Sequence, residues 1–188
     1  QALPSRCLRM ARKSAGRRSE AYEKYALEAN RGTTYLATFC LIAKKYPEID
    51  ADRLLSDLIA TTPGKEGKWF ATAKTLKRFD LAMQLVWKSP CDPKTLIRAA
   101  RDNIGRAPAF AADVALAALY WICLGKGYEL TSLDVRAAYE LANKAGNADG
   151  RSERVALRIQ TMLQPTTREV RWVREMLNIP PSTGASSS

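Results

Sequence analysis

Residues 110–124 read FAADVALAALYWICL. Asp113 alone interrupts an otherwise apolar, alanine-rich run. At about 15 residues the run is shorter than the roughly 20 that a membrane-spanning helix requires. It reads as a core helix buried on every side, and such a helix must be wrapped by others. Pro108 suits its first turn, where a missing N–H costs nothing, and Gly125 suits its end.

The neighbouring stretches supply the wrapping. Toward the C-terminus, Thr131 or Ser132 opens a helix with Leu133, Ala137, Leu141 and Ala145 four apart, and Gly146 is expected to close it. Val155, Ile159, Met162 and Leu163 mark another, broken by Pro165. Thr166 or Thr167 opens the last, carrying Val170, Val173 and Leu177. Toward the N-terminus, Asp92 followed by Pro93 is a strong helix start, with Leu96, Ile97, Ala100 and Ile104 behind it. Before it come helices with Trp69, Phe70 and Ala73, then Phe79, Ala82, Met83 and Val86. Residues 61–67 form a loop ahead of them.

Earlier still, Asp50 or Asp52 opens a helix that buries Leu54, Leu55, Leu58 and Ile59. Leu36, Phe39, Cys40 and Ala43 precede it and end at Pro47. Tyr22, Tyr25, Ala26 and Ala29 begin after Ser19 and end at Gly32. No sustained alternation of period two is present. The chain is therefore expected to be all-α, with about ten helices. They form stacked antiparallel helical hairpins: 67–75 with 77–88, 92–104 with 108–124, and 132–145 with 151–163. This is an α-solenoid or a compact helical array. Residues 1–18 form a basic segment, 19–179 the helical domain, and 180–188 a disordered tail.

Composition narrows the class. Hydrophobic residues make up 46% and charged residues 26% of 188, the proportions of a folded domain. The net charge is +11, of which residues 1–18 contribute +6 through Arg6, Arg9, Arg12, Lys13, Arg17 and Arg18 with no acid. The start at Gln1, without methionine or an apolar leader, points to a piece of a longer cytoplasmic protein. Cys7, Cys40, Cys91 and Cys123 are widely spaced and no histidine is present, so the usual zinc spacings are missing. These cysteines are read as reduced apolar side chains. Neither a metal nor a cofactor is expected.

One unit carries a resemblance. Gly67, Lys68, Trp69 and Phe70, then Ala73, Phe79 and Ala82, are spaced in a way that resembles a tetratricopeptide unit over residues 67–88. The strings PGKEGKWFATAK (63–74) and SPCDPKTLIRAARD (89–102) resemble an uncharacterised bacterial family with a helical C-terminal region. Such repeats imply binding surfaces rather than chemistry.

Several motifs invite a catalytic reading. Residues 64–68, GKEGK, have the wrong glycine spacing for a phosphate loop, and Trp69 stands where a hydroxyl residue belongs. Residues 125–128, GKGY, follow a helix instead of opening one and read as a turn. Asp113 is a candidate general acid if buried, and a capping or outward-facing carboxylate if not. Asp50, Asp52 and Asp57 cluster, but capping accounts for the first two. No nucleophile, base and orienting partner stand together, and an enzyme is not expected.

The expected function is a non-enzymatic helical-repeat interaction module for a protein or peptide, with Lys68, Trp69, Trp87 and Trp172 as candidate anchors. The alternative is a nucleic-acid binder. It would use the six basic residues of the head together with Arg151, Arg154, Arg158, Arg168, Arg171 and Arg174, which two neighbouring helices would present as one basic strip beside Trp172. The plain alternative for these arginines is a solvated face. No membrane contact is expected, since Leu3, Leu8 and Ala11 are too sparse for a membrane face.

Overall fold

The computed structural model describes residues 20–27 and 32–180, and no β-strand occurs among them. The six basic residues of the head, Cys7, Ser19, Ala29 and the tail 181–188 lie outside the described residues. The described chain is all-α, with nine α-helices. They are α1 (Tyr35–Lys45), α2 (Ala51–Ala60), α3 (Phe70–Thr75), α4 (Phe79–Lys88), α5 (Pro93–Asn103), α6 (Pro108–Cys123), α7 (Ser132–Ala148), α8 (Ser152–Met162) and α9 (Arg168–Leu177). A π-helical turn, Tyr22–Ala26, precedes α1, and a 3-10 turn, Glu66–Trp69, precedes α3. No helix among the described residues is long and apolar enough to cross a membrane.

The helix starts follow local chemistry. Asp50 caps α2 by accepting from the Asp52 and Arg53 amides at 3.0 and 3.2 Å. Asp92 accepts from the Thr95 amide at 2.9 Å, with Pro93 in the first turn. Thr131 and Asp134 cap α7 reciprocally, and Thr167 caps α9. Each such cap stabilises its helix by about 1 kcal/mol.

Twelve of the sixteen residues of α6 are buried, so the opening segment is the central helix. It packs on α5 and α7 and also touches α4, α8 and α9. Small residues on the buried faces of its two main neighbours, Ala99 and Ala100 of α5 and Ala138, Ala142 and Ala145 of α7, let the backbones approach closely. Phe79 meets Phe110 at 4.5 Å, and Trp87 meets Tyr120 at 5.3 Å. Contacts at both ends mean that α4 and α6 run in the same direction. α8 runs with them, because Arg151 at its start reaches Asp113 and Arg158, two turns on, reaches Trp87.

The structure corrects the reading of α7. Gly146 does not close this helix: it is buried inside it, facing Val155. Gly150, at φ +70°, ends it, and the Arg151 amide reaches back to the Gly146 carbonyl at 2.8 Å. The two bonds of a Schellman closure are both present. Leu133 is 73% exposed, so the buried stripe is not the expected one. Residues four apart advance by about 40° per step around a 3.6-residue helix and drift off a fixed face. Val135, Ala138, Ala142 and Ala145, spaced three and four apart, hold the core instead.

The 3-10 turn is locked to the α4–α5 connection. The Gly67 amide donates to Ser89 Oγ at 2.7 Å, and Lys88 Nζ lies 3.2 Å from Glu66 Oε1. Hydrogen bonds from the Glu66 and Gly64 backbone, with help from Lys88 and Ser89, hold the Glu66 carboxyl below its ordinary value of 4.5 despite its burial. A depressed carboxyl adds stability above its unfolded pKa and loses it as pH falls through the folded one. Urea titrations from pH 7 to pH 3 should show stability declining below about pH 4.5. Glu66→Gln should be less stable at pH 7 and should flatten that decline. An unchanged pH profile would remove this role.

Candidate docking surface

α4, α6 and α8 bring three side chains to one place. Trp87, in the last turn of α4, is half-buried and tilted against Tyr120 of α6 at 5.3 Å. The Arg158 guanidinium of α8 lies 5.3 Å from the Trp87 ring centroid. Arg154, one turn earlier on α8, is exposed. Met83, one turn before Trp87, and Leu124, one turn after Tyr120, extend the apolar part of the surface. Leu124 is 49% exposed.

Nearby, Asp113 is taken up by Arg151. The Arg151 guanidinium reaches both Asp113 oxygens at 3.4 Å and the Ala109 carbonyl at 2.8 Å, and pairs with Asp149. This carboxylate is ion-paired and partly exposed. Cys91 and Cys123 are pushed up to about 12, mainly by burial, and are poor nucleophiles. Among the described residues no group of histidine, cysteine and acidic side chains is arranged to hold a metal.

No family model, curated protein or solved structure matches the chain. The geometry therefore carries the functional argument alone.

The structure distributes the expected site residues unevenly. Lys68 is exposed, but Trp69 is 2% exposed. Its Nε1 donates to Thr62 Oγ1 at 2.8 Å and its ring meets Tyr35 edge-on at 4.8 Å. Trp69 is therefore an internal anchor, not a surface one. Trp172 is half-buried and packs against the core. The arginines of residues 151–174 do not form the single strip expected. Arg151 precedes α8 and turns inward, Arg158 turns toward α4, and Arg174 lines a groove with Tyr139, Ile159 and Leu163. Arg168 and Arg171 are exposed on α9. α8 and α9 each pack on α6 and α7.

Tyr120 was hidden from the sequence reading inside an apolar run. Its position seven residues after Asp113 was the available signal, because that spacing puts both on one helix face.

A cavity of about 700 Å³ lies beside α1 and the 61–65 turn. Four of its five threonines are already engaged. Thr38, Thr61 and Thr62 donate to the Thr34, Leu58 and Ile59 carbonyls, and Thr34 caps α1. These hydroxyls leave few groups to choose a ligand.

Proposed function

We propose that the chain is a non-enzymatic interaction module that grips an acidic segment of a partner protein across α4, α6 and α8. The observation that carries this reading is Arg158 lying against Trp87. A guanidinium resting on an indole has already lost much of its rotamer freedom, so engaging a ligand costs less entropy. Its N–H groups suit a carboxylate bidentately, and Arg154 adds a second donor one turn away. Tryptophan, tyrosine and arginine are also the residues that most often dominate protein interfaces. Trp87 belongs to the tetratricopeptide-like unit, and the stacked-hairpin arrangement is part of the same proposal. We assign the protein to the cytoplasm, because free Cys40, Cys91 and Cys123 suit a reducing compartment.

The test is fluorescence anisotropy with a labelled glutamate-rich peptide carrying a central leucine. Arg158→Ala should weaken binding about tenfold, the scale of a modest hot spot. Arg158→Lys should recover only part, since an ammonium neither stacks flat nor forms a fork. Thermal melting should barely change, because the arginine is exposed. Equal affinity for wild type and Arg158→Ala would end this proposal.

A further inference from the structure

We infer that the outer face of α5, together with the 125–129 turn, is a second binding surface and that its ligand is single-stranded nucleic acid. α5 buries Pro93, Leu96, Ile97, Ala99 and Ala100 and exposes Lys94, Arg98 and Arg101. Spacings of four and three place these cations on one face, spread over roughly 10 Å of helix. Arg106 continues the exposed series in the turn after α5, and none of Arg98, Arg101 and Arg106 forms an ion pair among the described residues. Asp102 and Glu129 are exposed acids beside it, and exposed Glu169 of α9 lies against Gly125. Lys94, Arg98, Arg101, Arg106 and Lys126 outnumber these three, so the surface stays basic.

A separate observation brings an aromatic to the same place. Gly127, at φ +121°, sits so close to α5 that a Cβ there would lie 3.0 Å from Pro93 Cδ. Lys94 Nζ donates to the Glu129 carbonyl at 2.8 Å. Between these two contacts stands Tyr128, 78% exposed. Lys126 is exposed beside it. Because the turn follows a helix C-terminus, the cations rather than backbone amides must meet the phosphates.

The combination fits one ligand chemistry. A row of cations tracks a sugar-phosphate backbone, and a free aromatic ring takes an unstacked base, which a duplex does not offer. None of these side chains takes part in the Trp87–Arg158 contact, and the inference does not depend on the reading of that site.

The full chain would be titrated with fluorescein-labelled oligo-dT and oligo-U across 50–300 mM salt. Lys94→Ala/Arg98→Ala/Arg101→Ala should lower the slope of log affinity against log salt by about two, at about 0.7 per phosphate contact. Tyr128→Ala should weaken binding about tenfold with the slope unchanged, and Tyr128→Phe should keep the affinity. Arg158→Ala should leave all of this intact, which separates the two surfaces. All four altered side chains are exposed, and circular dichroism melts verify that each variant is folded. Residues 1–18 carry +6 in every variant, so the comparison is always between full chains. The inference is overturned by wild type that does not bind, by an unchanged slope in the triple variant, or by Tyr128→Ala at wild-type affinity. Polyglutamate of matched charge competing as well as oligonucleotide would overturn it equally, by assigning the face to an acidic protein.

Discussion

Gly67→Ala is expected to destabilise the protein by about 3 kcal/mol, toward the upper end of overpacking costs. A Cβ at this position would stand 2.5 Å from the Ser89 carbonyl oxygen and 2.7 Å from that of Pro90. Both are backbone atoms, so no side-chain rotation makes room. Relief requires the 3-10 turn to lift off the α4–α5 connection, which breaks the Gly67–Ser89 hydrogen bond and disturbs the Glu66–Lys88 pair. For a chain of this size the loss corresponds to a melting point lower by about 6–12 °C. Gly105→Ala is the control, because nothing lies within 4 Å of a Cβ there. It should be neutral or slightly stabilising. Chemical denaturation of both variants decides the matter, and equal stability would show that the turn is not clamped as described.

Gly146→Ala sets two effects against each other. Helix propensity favours alanine over glycine in a helix interior by about 1 kcal/mol. Against that, the new methyl would lie 2.7 Å from Val155 Cγ2, which pushes α8 away from α7. Valine is stiff at χ1 and cannot swing aside cheaply. Sterics should win, with a net loss of about 2 kcal/mol. Val155→Ala alone should also cost about 2 kcal/mol through its cavity. The double variant should cost far less than the sum, giving a coupling of about 2 kcal/mol in a double-mutant cycle. Additive losses would mean that these two positions do not press on each other.

These two glycines also mark where sequence reading stops. Asp92 with Pro93, and Thr131 or Ser132, were legible as helix starts because a cap's donor and acceptor lie within three residues; the reciprocal bond of Asp134 emerged only in the structure. The 110–124 segment was legible because its apolar character goes all the way round. Gly146 read as a terminator because its neighbour Val155 belongs to the next helix, and only the packed structure brings them together. Trp69 read as a surface anchor for the same reason: its partners Tyr35 and Thr62 are on other elements. The arginine pattern failed at Arg151, where counting seven positions back from Arg158 assumed a helix that had not yet begun. The contacts of Trp87 with Tyr120 and with Arg158 join positions 33 and 71 apart, beyond the reach of any local period.

α6 packs against α4, α5, α7, α8 and α9, and its Phe110 also stacks on Phe70 of α3. In a linear array each unit leans only on the next, so end units can peel away while the rest survives. Here none of α4, α5, α7, α8 and α9 can be removed without uncovering the same axial rod, whereas α1 and α2 lean on α3 and the 3-10 turn. Amide hydrogens of α5, α6 and α7 should therefore exchange together, through one shared opening, and species with only part of α4 to α9 unravelled should stay scarce.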